Sequence, residues 1–141
     1  MNAIFAALLV AMSAGKDQAL HLYELNPKTG ALVQRAKYDL PGSPGSQCVS
    51  PDGNTLYVSV RSANSVAAFR IDHGMKTLVP LGITEIGANA AYVATDRTGR
   101  TLLWASYSDG VVGSHAIGRN GAVIKNPLSL IETARCAHAI L

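Results

Sequence analysis

Charge is scarce in this chain. Only 15% of its 141 residues are Asp, Glu, Lys or Arg, while 48% are hydrophobic. That balance excludes a disordered, self-repelling polymer and describes a chain rich in interior. The 12 basic and 9 acidic residues leave a net charge of +3, and the basic ones are dispersed. No basic cluster is interleaved with aromatics, which are only 6% of the residues, so a nucleic-acid surface is not expected. A mild positive balance does suit an anionic small molecule. Cysteine is also sparse. Cys48 and Cys136 lie 88 residues apart with no Cys or His at ligand spacing, so no zinc motif exists. No metal and no cofactor is expected. Free thiols in a reducing compartment are the simpler reading, and a disulfide between the two is the alternative.

Long apolar runs are missing too. The longest candidate, "MNAIFAALLVAMSAG", is too short to span a membrane as a helix. No membrane partner is expected. The same stretch has the outline of an export signal, but it carries no Lys or Arg before its apolar part. A cytoplasmic location is expected, with export as the alternative if residues 1–14 are a signal. Helical periodicity is absent as well: no stretch holds an apolar i, i+3, i+4, i+7 stripe over a dozen residues.

A repeat takes its place. Leu25, Ile71 and Ile117 each end a strand-like segment, and they stand 46 residues apart. Tyr23, Phe69 and His115 precede them by two positions, and Leu20, Val66 and Val112 lie three earlier still. Leu56 and Leu102 open the matched strands "LYVSVRS" and "LLWASYS". Their first copy is "LLVAMS", Leu8 to Ser13, followed by a turn two residues longer, "AGKDQ". Gly- and Asn-bearing turns ("NPKTG", "DHG", "GRNG") separate the second apolar stretch from a third. Small-residue segments ("PGSPGSQCVS", "GANAAYVAT", "TARCAHAIL") lead into the next copy, through "SPDG" or "DRTG".

Four short antiparallel strands in every 46 residues describe a β-propeller blade. One blade cannot bury its faces alone, so copies must stack. The expected fold class is all-β: a single partial propeller domain, 1–141, of about three four-stranded blades. The blades are expected at about 4–40, 43–86 and 89–132, with the first strand of a fourth at about 135–141. Blade 1 lacks its innermost strand. Since propellers close with roughly four to eight blades, the chain is expected to be a fragment of a longer protein or to close a ring with other copies. Apolar blade faces at its two ends favour self-association.

"PGSPGSQCVSPDGNTLYVSVRSANSVAAFRI" resembles the lactonase family of seven-bladed propellers, which includes the propeller-type 6-phosphogluconolactonases and the carboxymuconate lactonizing enzymes. The resemblance runs from Leu8 to Leu141 and falls on the N-terminal two-fifths of the family's usual length. Its more specific points are Arg61 in "SVRS", Tyr107 in "ASYS", and "ARCAHA", where one residue separates Cys136 from His138. The generic part is shared with surface-layer-type propeller repeats that only bind. The resemblance implies hydrolysis of 6-phosphogluconolactone or a related sugar lactone, with further Arg and Glu partners from later blades. A non-enzymatic binding propeller, or a fragment without activity of its own, is the alternative.

Blade geometry says where such a site forms. Loops joining blades (Pro41 to Ser46, Gly87 to Tyr92, Thr133 to His138) share one face with loops joining the second strand to the third (Arg61 to Asn64, Tyr107 to Gly110). Arg61, Asn89, Tyr107, Arg135 and His138 converge there. A lactonase needs a base for water, donors for the oxyanion and a cationic clamp for an anionic substrate. His138 fits the base, and Arg61 or Arg135 the clamp, with Asn89 and Tyr107 as further substrate contacts. The structural alternatives are a hydrogen-bonded His138, a solvated Arg61, a packing Tyr107 and turn chemistry at Asn89. His115 fills an aromatic slot, Trp104 an inter-blade core, and Cys48 and Cys136 the crowded innermost strands.

Overall fold

Short β-branched and apolar runs between Gly-, Asn- and Asp-bearing turns favour antiparallel ladders. In a computed structural model, which describes residues 8–140, they form eleven strands. β1 (Leu8–Ala14), β2 (Ala19–Leu25) and β3 (Leu32–Asp39) make the first sheet. β4 (Pro44–Val49), β5 (Thr55–Val60), β6 (Ser65–Asp72) and β7 (Thr77–Glu85) make the second. β8 (Tyr92–Thr95), β9 (Thr101–Ser106), β10 (Val111–Ile117) and β11 (Val123–Glu132) make the third. The architecture is all-β, as the repeat predicts. Within the described residues no helix is long and apolar enough to cross a membrane.

The sheets pack face to face, β4 against β8 and β7 against β11. The core therefore lies between sheets. Leu20, Leu22, Leu56, Val58, Ala67 and Phe69 fill the first interface. Tyr57, Val66, Ala68, Val93, Leu102 and Trp104 fill the second. Every residue of β5 is buried because its alternate side chains enter different interfaces. Trp104 sits in the core, as expected. Its ring lies over Gly113, where any side chain would collide with it. His115 is structural: it is 1% exposed, and its Nδ1 lies 2.9 Å from the Ile124 carbonyl oxygen.

The ladders repeat with the sequence. Each outer strand is bulged opposite the same place, between Leu22 and Tyr23, between Ala68 and Phe69, and between Ser114 and His115. Pro80 and Pro127 stand beside the last two bulges, on edge strands where a missing N–H is tolerated.

β1 pairs with β2 from Leu8↔Leu25 to Ala14↔Ala19, so the N-terminal apolar run is a strand from Leu8 onward. Residues 1–7, which hold the rest of the export-signal reading and the start of blade 1, lie outside the described residues. One expectation is corrected. Ala14↔Ala19, Val60↔Ser65 and Ser106↔Val111 all enclose four residues, so the first turn is not longer than the others. Val10, not Leu8, is the partner of Leu56 and Leu102 in the repeat, since it pairs with Tyr23 as Leu56 pairs with Phe69. A second expectation also changes. Residues 135–140 carry no ladder, although the sequence predicts a strand opening a fourth blade. A strand exists only by pairing, and these residues have no partner strand among the described ones.

Candidate functional site

Each four-residue turn ends in a left-handed residue, because reversing direction over so short a span needs positive φ. Gln18 (φ 49°), Asn64 (φ 48°) and Gly110 (φ 65°) occupy it, 46 residues apart. Their carbonyls then accept the N–H groups of the chain leaving each outer strand: Leu40 to Gln18 at 2.8 Å, Ile86 to Asn64 at 2.9 Å and Thr133 to Gly110 at 2.7 Å. The turns and the sheet-joining loops are thus tied together at one end of the sheets. The "SPDG" and "DRTG" turns lie at the other end, around a cleft of about 540 Å3 that includes Asp52, Arg70, Thr98 and Arg119.

At this tied end each turn also reaches the joining loop of the next sheet. Ser43 donates its hydroxyl to the Gly15 carbonyl at 3.2 Å. Arg61 Nε donates to Asn89 Oδ1 at 2.9 Å. The Cys136 N–H donates to the Tyr107 carbonyl at 3.3 Å. Positions 15, 61 and 107, and likewise 43 and 89, are related by the repeat. The turn-to-loop contact recurs with different groups, a hydroxyl, a guanidinium and, one residue further along, a backbone N–H, and only its second and third copies carry side chains suited to chemistry.

The structure brings the predicted residues together in two pairs. Arg61 and Asn89 form the first. Tyr107 and His138 form the second, ring edge to ring face, with centroids 5.9 Å apart and planes at 89°. Arg135 backs onto Gly110, where an added Cβ would lie 3.6 Å from the Arg135 Cα. Arg61, Tyr107, Arg135 and His138 are exposed, and Asn89 is half-buried. Cys136 and His138 do not alternate as residues of an extended strand would, since Cys136 is left-handed at φ 76°. Both still meet Tyr107: the Cys136 thiol is the neighbour that chiefly raises the pKa of its phenol, and the His138 ring stands against it. The other cysteine is inert by comparison. Burial pushes the Cys48 thiol up to about 11, the wrong direction for a nucleophile.

Two residues that join the pairs were not predicted. Asp109 Oδ2 accepts the Asn89 N–H at 3.0 Å and the Ser106 hydroxyl at 2.6 Å. Ser106, fully buried, lies equally within reach of the Asn89 carbonyl, at 2.9 Å. These bonds, Ser106 first, hold the Asp109 carboxyl below the usual carboxylate range. Asp109 shares its turn with Tyr107, so the Arg61–Asn89 pair and the Tyr107–His138 pair meet on residues 107–110. The signal was local. A hydroxyl three residues before an Asp, next to a turn glycine, is a self-bonding turn.

The comparisons with known proteins bear on the family and the fold. The family described as "Lactonase, 7-bladed beta-propeller" matches residues 7–135. The 6-phosphogluconolactonase of Erwinia tasmaniensis is 33% identical over 131 residues, covering 93% of this chain and 39% of that protein. The 6-phosphogluconolactonase of Cronobacter sakazakii is 34% identical over 124 residues, covering 88% of this chain and 36% of that protein. The chain thus spans about two-fifths of the length of the curated relatives it matches. Among solved structures, the Pseudomonas aeruginosa periplasmic gluconolactonase superposes with a TM-score of 0.81 at 19% identity, over 92% of this chain and 40% of that one. At that identity the superposition speaks for the fold alone.

Proposed function

The chain belongs to the lactonase family of seven-bladed β-propellers, and we propose from that premise that its native-length protein is an ester hydrolase that opens a sugar lactone. The substrate class is 6-phosphogluconolactone or a close relative, which places the protein in carbohydrate metabolism. The observation that supports the reading is the tied end of the sheets, where the Arg61–Asn89 pair and the Tyr107–His138 pair are linked through the turn at residues 107–110. His138 takes a proton from water as the oxygen adds to the lactone carbonyl carbon. Donors around the mouth hold the resulting oxyanion. The tetrahedral centre then collapses, the ring C–O bond breaks, and the proton returns to the leaving alkoxide. Arg61 and Arg135 hold the anionic end of the substrate. No covalent intermediate, metal or cofactor is required.

The test is acid release from 6-phosphogluconolactone and glucono-lactone by the native-length protein, followed above spontaneous hydrolysis. Acceleration of either supports the reading. A rate equal to the spontaneous one for both, in a folded protein, returns the chain to the binding-propeller alternative.

Two further parts of the reading concern context. Removing Leu8–Ala14 would strip β2 of a ladder partner, which speaks against a signal cleaved after residue 14, and the location proposed is cytoplasmic. A mature chain beginning near Gly15, read by mass spectrometry, would favour export instead. The division into blades at about 4–40, 43–86 and 89–132, within one partial domain, is proposed on the strength of the three sheets. Exposed apolar residues line the outer strands, Leu32 and Val33 on β3 and Leu128, Leu130 and Ile131 on β11. Self-association of the 141-residue chain through these faces is expected in light scattering, and a clean 14.7 kDa species would contradict it.

A further inference from the structure

An arginine that must hold an anion loses its purpose if a carboxylate already neutralises it. The second copy of the repeated mouth contact avoids this. Arg61 is gripped at Nε by the neutral amide oxygen of Asn89, 2.9 Å away. Its terminal nitrogens, the fork that matches phosphate oxygens, make no hydrogen bond or ion pair to any described residue. The nearby acid, Asp109, is engaged elsewhere, by the Asn89 N–H and the Ser106 hydroxyl.

Asn89 is fixed on both sides of its backbone. Asp109 takes its N–H, and its carbonyl faces the buried Ser106 hydroxyl. Its neighbours Ala88 and Ala90 are buried, so the loop is seated in the core while the amide of Asn89 points at Arg61. The third copy of the turn therefore aims a side chain of the second. At the first copy Ser43 is likewise held, its N–H by the Ser62 hydroxyl and its carbonyl by the Arg61 N–H, both at 2.8 Å, but its own side chain reaches the Gly15 carbonyl and aims no charged group.

We propose that Asn89, Asp109 and Ser106 are positioning residues that hold Arg61 oriented and electrically uncancelled, so that its outer fork selects substrates ending in a phosphate monoester over neutral ones. This rests on the lactone-hydrolase reading for its substrate but not for its physics. Asn89 is the specificity element because an amide grips without neutralising. An aspartate at the same place would grip harder and cancel the charge.

The experiment compares 6-phosphogluconolactone with glucono-lactone in the native-length protein. Asn89→Asp raises the KM for the phosphorylated lactone, relative to the neutral one, by about ten-fold or more, the scale of one charge-assisted bidentate contact. Asn89→Ala raises that ratio less, since the charge survives and only its aim is lost. Asp109→Ala follows Asn89→Ala, whereas Asp109→Asn, which keeps an acceptor for the Asn89 N–H, restores much of the preference. A purely structural role for the cluster would lower kcat or stability for both lactones alike and leave their KM ratio alone. Calorimetry with 6-phosphogluconate and gluconate separates this proposal from the lactonase reading. A preference for the phosphorylated acid that Asn89→Asp abolishes supports the relay even in a protein that hydrolyses neither lactone. The proposal is overturned if the folded wild type shows no preference, or if Asn89→Asp and Arg61→Ala both leave the preference intact.

Discussion

His138→Ala is expected to lower lactone turnover by at least about a hundred-fold in the native-length protein, the lower end of what a positioned general base contributes. The expectation stands on geometry. His138 presents an exposed imidazole at this end of the sheets, edge to face with Tyr107 at a centroid distance of 5.9 Å, and the Cys136 N–H bond to the Tyr107 carbonyl ties its segment there. Imidazole is the side chain best suited to take a proton near neutral pH. A lactone carbonyl needs only that base and a few donors. The fold should survive, because residues 135–140 contribute no ladder and His138 is exposed. Circular dichroism should therefore superpose while the corrected rate falls. An unchanged rate in a folded mutant would take His138 out of the mechanism and leave it as a partner for Tyr107.

Trp104→Ala should produce the largest loss of stability of any single truncation. Trp104 is 1% exposed in the interface between the second and third sheets, and Gly113 leaves the space its ring occupies. Emptying such a site costs about 3–5 kcal/mol. One effect opposes it: the indole N–H is buried without a partner among the described residues, a liability of about 1–3 kcal/mol that truncation removes. The cavity wins, and a net loss of about 2 kcal/mol is a sizeable share of the roughly 5–15 kcal/mol that holds a typical domain. Trp104→Phe keeps most of the packing and sheds the orphan donor, so it should cost much less. Urea titration of the three proteins gives the order wild type, Phe, Ala in falling midpoint. A Trp104→Ala midpoint equal to wild type would mean that the second and third sheets do not share a core.

Much of this architecture is written in spacing. Leu25, Ile71 and Ile117 mark the ends of three equivalent strands, and the turns at 50–53 and 96–99 close as drawn, Gly53 N–H to Ser50 and Gly99 N–H to Asp96. The first turn reads two residues too long because "LLVAMSA" is almost uniformly apolar. Without polar alternation a strand can slide two residues on paper, and only its ladder with Ala19–Leu25 fixes the register. The bulges were illegible except through Pro80 and Pro127, since a bulge depends on the partner strand rather than on local composition. The "RCAHA" segment reads as a strand because its residues are small, yet pairing is a property of two segments and its partner is not among the described residues. At the site, residues with obvious chemistry were legible: Arg61, Asn89, Tyr107, Arg135 and His138 all fall at the tied end. Asp109 and Ser106 were missed because their repeat counterparts, Ala63 and Val60, carry no polar group, so the repeat gave no reason to look there.

The central claim is that the end of the sheets holding residues 61–64, 89, 107–110 and 135–138 receives the substrate. A crystal structure of the native-length protein with 6-phosphogluconate, the acid product of the proposed reaction, tests this most directly. The account predicts the product seated at that mouth, its phosphate on the outer fork of Arg61 and its carboxylate within hydrogen-bonding reach of His138. Product bound instead in the cleft of about 540 Å3 at the opposite end, among Asp52, Arg70 and Arg119, would contradict it.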